Sequence, residues 1–330
     1  METRDFCYPS ADGKTTIHAM EWLPEGAPRA VVQICHGMTE YISRYSSFAA
    51  YLAAHGFHVC GNDQLGHGLS VRTEAGRDYH GYFAVPDGSA CLIADIHTLR
   101  QRTAARFPDV PYFLHGNSMG TFLVRQYITE YGQGLAGAVI LGTGTTPVPL
   151  LRTGMLLCRL IALCRGWHHR STLVDQMAGG SFTKRIHPLR TPKDWLSKDP
   201  VHVDRYLADP LCAFIFTVNG YYHMFRVMAE MQLPANIARI PRELPLLLAS
   251  GTDDPVGSYG QGVRAACLRY KKAGLPDVSL KLYPNDRHEL LNETDRETVY
   301  ADLLKWISQK ALLSSPLPSS TGSASPYPHA

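Results

Sequence analysis

With 330 residues, 45% of them hydrophobic and 18% charged, the chain can bury a large core as one domain or as one domain carrying an insertion. The formal charge of +3 is small and its Lys and Arg are scattered, which gives no support to nucleic-acid binding. The eight cysteines show neither C-x-x-C pairs nor zinc spacing, and most lie in apolar segments, so reduced core thiols are expected.

The first residues, METRDFCYPS, begin with charge and lack an apolar signal core, so a cytoplasmic location is expected. RDFCYPSADGKTTIHAMEWLP reads as two strands around the turn ADGK, a hairpin at a sheet edge. Short β-branched or aromatic runs then alternate with helix-length amphipathic segments. The strand candidates are RAVVQIC, FHVCGND, VPYFLHG, GAVILGT, LPLLLASG and VSLKLYP. Between them lie SSFAAYLAAHG, read with a serine cap and a stopping glycine, then SACLIADIHTLRQRTAARF, TFLVRQYITEYG, GVRAACLRYKKAG and RETVYADLLKWISQKAL. This alternation predicts βαβ units and a mostly parallel sheet with helices on both faces.

The alternation breaks once. Residues 145–234 offer no long strand and read as several short helices, inserted into a core formed by 1–144 and 235–312. Within the insertion, the greasy run from Leu150 is interrupted by Arg152, Arg159 and Arg165, a poor membrane span. As a helix it is apolar around most of its circumference, with Arg152 and Arg159 on one narrow polar stripe. Such a surface must be buried against the core, an acyl chain or a membrane surface. Leu156 and Leu160 are therefore expected at a substrate site. Phe214–Phe225 lines an acyl tunnel, with Phe214 and Tyr221 as its contacts, or else forms the insertion's own core. His168-His169 reads as a solvated turn and not as metal ligands. GHG at 66–68 lacks the Lys-Ser/Thr of a phosphate loop and reads as a turn held by Asp63. Glu230 reads as a surface helix charge. The Pro/Ser-rich tail 313–330 predicts disorder.

In a parallel sheet, chemistry gathers where strands end. HGNSMG follows the strand VPYFL, placing Ser118 in G-x-S-x-G at a strand-to-helix turn. GTDDPVG follows LPLLLAS, and NDRHEL follows VSLKLY. Ser118, Asp254 and His288 thus occupy three strand-end loops in the order nucleophile, acid, base. A serine hydroxyl needs a neighbouring imidazole to take its proton, and a carboxylate to fix that imidazole's tautomer. Asp253 neighbours Asp254, but adjacent extended residues point to opposite sides, and Pro255 fixes the turn that would present Asp254. Asp286 suits turn capping better. Gly116 and Gly120 let the chain turn sharply around the serine. Two backbone donors are expected for the oxyanion. One is the amide of Met119; the other is that of Met38, in the turn that Gly37 allows after VVQIC.

These motifs together resemble a family. HGMTEYISRY, GNDQLGHGLS, GNSMG, DWLSKDPVHVDRYLADPLCAF, SGTDDPVG and RHELLNE are similar to bacterial lysophospholipase-like hydrolases, of the monoacylglycerol-lipase-like branch of the α/β-hydrolase fold. The resemblance runs from about Cys7 to Ile307. It implies an eight-stranded α/β-hydrolase with a helical lid over residues 145–234. It also implies Ser118 as nucleophile, Asp254 as acid, His288 as base, and Met38 and Met119 as oxyanion donors. Two positions depart from the pattern: Asn117 stands where the elbow usually carries histidine, and Tyr41 where a histidine commonly follows the glutamate. The activity expected is cofactor-free and metal-free hydrolysis of monoacylglycerols, lysophospholipids or similar acyl esters through an acyl-enzyme. Transient contact of the lid with a membrane surface or micelle is expected, and no nucleic-acid partner. An aminopeptidase or amidase on the same fold is the alternative, as is a ligand-binding receptor built on it.

Overall fold

The computed structural model describes residues 2–74 and 76–314. Eight strands form one sheet: β1 (Glu2–Pro9), β2 (Thr16–Leu23), β3 (Ala30–Cys35), β4 (Phe57–Asn62), β5 (Tyr112–Asn117), β6 (Gly137–Leu141), β7 (Leu246–Gly251) and β8 (Val278–Tyr283). Their order is β1-β2-β4-β3-β5-β6-β7-β8. The β1–β2 hairpin lies antiparallel at one edge and β2 meets β4 antiparallel; every other pairing is parallel.

The helices are α1 (Ser46–Ala54), α2 (Gly88–Arg106), α3 (Met119–Tyr131), α4 (Val148–Arg165), α5 (Thr172–Gly179), α6 (Pro200–Ala208), α7 (Val218–Glu230), α8 (Pro234–Ile237), α9 (Gln261–Lys272) and α10 (Arg296–Ser314). The central strands are buried on both faces, so they read as continuous apolar runs while their side chains still alternate. Val31 and Cys35 of β3 join a cluster with α2, α3 and α9. Ala30, Val32 and Ile34 face the opposite way, into a cluster with α1 and α10.

Several local expectations need correction. No side chain caps α1; a 3-10 turn at Ile42–Tyr45 leads into it, and the Ser46 hydroxyl donates backwards to the Ser43 carbonyl at 2.6 Å. The segment expected as an insertion opens not with a short helix but with the 18 residues of α4. Its Gly154 lies flush on α7, where a Cβ would stand 2.9 Å from the Phe225 ring. Helix α10 continues through Leu313 to Ser314, two residues past the expected end of the core at 312. The rest of the expected disordered tail, 315–330, lies outside the described residues. Among the described residues, no helix is long and apolar enough to cross a membrane.

Candidate active site

Ser118 sits at the junction of β5 and α3 with φ 51° and ψ −120°, a conformation that a non-glycine residue adopts only under constraint. The strain falls on the serine itself. The flanking glycines are required by close approach instead: a Cβ on Gly120 would lie 1.9 Å from the Cys35 carbonyl oxygen, and one on Gly116 2.6 Å from that of Gly120. The Ser118 amide donates to the Leu141 carbonyl at 3.0 Å, anchoring the turn to the end of β6.

His288 lies in the loop after β8. Its Nε2 is 2.7 Å from Ser118 Oγ, and its Nδ1 is 3.0 Å from Asp254 Oδ1. Asp254, in the loop after β7, is fully buried and also accepts from Val256 N at 2.9 Å and Ser250 Oγ at 3.0 Å. These two donors fix the carboxylate's orientation. Asp253 is exposed, and Asp286 forms a 2.6 Å ion pair with Lys198. Burial disfavours the imidazolium of His288, but the Asp254 carboxylate, with Glu289 and Glu40 beyond it, outweighs that and raises its pKa above the ordinary value.

The loop after β3 closes the other side of the serine. Gly37 packs so tightly that a Cβ would meet Ser118 Cβ at 3.0 Å. Thr39 turns the loop at φ 53°, and Glu40 holds it by accepting from the Gly37 amide and, at 2.7 Å, from the Tyr45 hydroxyl. Among the described residues, no hydrogen bond within the chain uses the amide of Met38 or of Met119, the first residue of α3. These free donors lie on the two segments that flank Ser118.

A cavity of about 620 Å³ opens onto Ser118 and His288. Phe122, Leu150, Leu151, Met224, Phe225 and Met228 supply apolar wall, joined by Phe214 and Tyr221. Leu156 and Leu160, expected at the substrate, are corrected here: they line no part of it and are 57% and 52% exposed. The phase of α4 explains this. Leu151, Gly154 and Cys158 recur at helical spacing on the buried face, which turns Leu156 and Leu160 to the opposite side. Arg159 does not stay in solvent alone, since it donates to the Tyr222 hydroxyl at 2.6 Å. His168 lies in a turn, as expected, but its ring stacks on Tyr82 with centroids 4.0 Å apart instead of facing solvent freely. Asp63 holds the GHG turn through the Leu69 amide at 2.8 Å. At the two departures from the family pattern, Asn117 lines the cavity and Tyr41 donates to Asp209 at 2.6 Å.

Sequence reading missed a charged network beside this site. Arg44 lies 3.4 Å from Glu40 and 3.3 Å from Glu289, all three nearly buried, and His202 of α6 also contacts Glu289. Only the Glu40–Arg44 spacing of four residues hinted at it. Thr39 meets the Tyr206 hydroxyl at 2.5 Å, and the Trp195 ring lies 5.1 Å from that of His288. Among the described residues, no cluster of three or more His, Cys, Asp or Glu is placed to hold a metal ion.

Residues 26–295 match the Hydrolase_4 family, described as serine aminopeptidase, S33. The chain belongs to this family. It is a serine hydrolase of the α/β-hydrolase fold, monoacylglycerol-lipase-like along most of its length. A monoacylglycerol lipase of Mycolicibacterium smegmatis is 27% identical over 305 residues, spanning 87% of this chain and 90% of the relative. The monoglyceride lipase of Homo sapiens is 24% identical over 332 residues, spanning 96% and 92%. A thermostable carboxyl esterase from Bacillus coagulans, solved with glycerol, matches with TM-score 0.87 at 28% identity, covering 94% of this chain and 99% of the esterase.

Proposed function

We propose that this chain hydrolyses monoacylglycerols, lysophospholipids or similar carboxylic esters of an apolar acyl chain, with Ser118, His288 and Asp254 as its triad. The observation that carries the reading is the hydrogen-bonded series from Ser118 Oγ through both imidazole nitrogens to Asp254, opening into a cavity with an apolar wall. Ser118 Oγ attacks the ester carbonyl while His288 Nε2 takes its proton. Asp254 stabilises the imidazolium through Nδ1. The amides of Met38 and Met119 receive the charge that develops on the carbonyl oxygen. Collapse of the tetrahedral intermediate breaks the bond to the alkoxy oxygen, which leaves with the proton from His288 as the free alcohol. Water, deprotonated by the same imidazole, then attacks the acyl-enzyme, releases the acid and restores Ser118.

Residues 145–234 act as the lid, since their side chains form much of the cavity wall above the serine. The exposed leucines of α4 suit contact with micelles or a membrane surface, and a cytoplasmic enzyme peripheral to membranes fits this arrangement. The family description favours a second reading, an aminopeptidase. That activity needs a carboxylate free to hold a substrate ammonium, whereas Glu40 and Glu289 are held by Arg44. Asp175, the third acid lining the cavity, accepts from the Tyr221 hydroxyl and already favours the charge of Lys193.

The test is a panel of monoacylglycerols, p-nitrophenyl esters of graded acyl length and aminoacyl p-nitroanilides. Turnover should be confined to the esters, rise with acyl length and disappear in Ser118→Ala. Preferential cleavage of the anilides would establish the aminopeptidase instead. A burst without turnover would mark a receptor.

A further inference from the structure

The cavity wall beside His288 is charged, and all but one of its strong groups are engaged elsewhere. Glu40 accepts from Gly37 and Tyr45, and Glu289 pairs with Arg44 and His202. Asp175 accepts from the Tyr221 hydroxyl. Lys193 is the exception. It lines the same cavity, yet among the described residues its ammonium makes no hydrogen bond and no ion pair within 4.0 Å. Two rings flank it, with Nζ 5.9 Å from the centre of Trp195 and 5.8 Å from that of Tyr206, while the Asp175 and Glu289 carboxylates favour its charge from beyond ion-pair distance. A partly desolvated cation placed this way gains strongly from an anion that completes its coordination.

Chemistry says which part of a substrate lies there. In ester cleavage the base returns its proton to the leaving oxygen, so the alcohol portion sits beside the imidazole. Trp195 packs on His288, and Lys193 lies over Trp195, so the cation faces the alcohol and not the acyl chain. Of the two substrate classes proposed above, only lysophospholipids carry an anion on the alcohol.

We propose that Lys193 is an anion-binding residue that selects esters whose alcohol bears a phosphate over neutral monoacylglycerols. This rests on the reading of Ser118 as the nucleophile, and the experiment has one arm that needs no turnover. In the full-length protein, kcat/KM is measured by acid release for 1-acylglycerol and 1-acylglycerol 3-phosphate of the same short acyl chain, both below micelle formation. The readout is the ratio of the two, so a general loss of activity cancels. A charge-assisted contact corresponds to a ratio of roughly tenfold to a hundredfold favouring the phosphate ester. Lys193→Met, which keeps the stem packed on the rings, should bring the ratio close to one through KM, and Lys193→Arg should restore most of it.

The second arm measures calorimetric binding of the two esters, and of inorganic phosphate, to Ser118→Ala with and without Lys193→Met. The same preference should appear there and vanish with the lysine. A ratio unchanged by Lys193→Met in both arms overturns the proposal, as does inorganic phosphate binding as tightly as the phosphate ester, which would mark a free-anion site. If neither ester is hydrolysed but the binding preference depends on Lys193, the anion site stands and the hydrolase reading fails.

Discussion

The choice between two adjacent carboxylates is the sharpest residue-level claim. Asp254 is buried against His288 and locked by Val256 and Ser250, while Asp253 faces solvent. Asp254→Asn should therefore lower kcat by roughly ten-thousandfold, as loss of the orienting carboxylate does in a protease triad. Asp253→Asn should change kcat little, and the reverse pattern would reassign the acid. The same geometry sets the pH profile. As the proposed base, His288 must be neutral, so kcat/KM should fall as pH drops through its pKa. Because its neighbours raise that pKa despite burial, the acid limb should centre above the ordinary histidine value of about 6.5. A limb centred well below it would mean that burial dominates in solution. Ser118, Asp254 and His288 were legible because each follows a strand-like run, so chain order alone brought them together. Lys193 and Trp195 were not, because a helical insertion gives no rule for which residues turn towards the strand ends.

Helix α4 shows where periodicity runs out. A helix apolar on nearly every side does not announce its buried face. Here it is close packing of Gly154 on Phe225 that fixes the phase. Leu156, Leu160 and Leu163 are left 57%, 52% and 84% exposed. Exposed leucines contribute little to folding, so the double change Leu156→Glu and Leu160→Glu should leave Tm nearly unchanged. If this face meets lipid, the variant should lose activity on esters presented in micelles or vesicles and keep it on dissolved p-nitrophenyl acetate. Equal loss on both, with a lower Tm, would show that the leucines support the fold. The strands posed no such difficulty. Runs such as RAVVQIC and LPLLLASG are bounded by turn residues and buried on both faces, which a parallel sheet requires.

At the scale of the molecule, Arg44 joins three parts of the chain: the loop after β3, helix α6 between β6 and β7, and the loop carrying His288. Beyond the Glu40–Arg44 spacing, sequence could not show this, because His202 and Glu289 lie far from Arg44 along the chain. Burial favours protonation of Glu289, but Arg44 and His202 outweigh it and keep the carboxyl well below its usual range. Its contribution to stability is thus present above the unfolded value near 4.3 and is lost as pH falls through the lower folded value. Arg44→Met would leave buried carboxylates without their cation and should cost about 3–5 kcal/mol in denaturant unfolding at pH 7. The loss should shrink at acid pH, where the orphaned Glu289 protonates. A loss of the same size at both pH values would mean that Arg44 acts through packing alone.

The catalytic predictions rest on one proposed nucleophile. The most direct test is labelling of the intact protein with a fluorophosphonate, followed by peptide mass mapping. The adduct is expected on Ser118 alone, absent after Ser118→Ala and strongly slowed by His288→Ala, both variants remaining folded. A stoichiometric adduct on any other serine, or undiminished labelling of Ser118→Ala, would contradict the assignment.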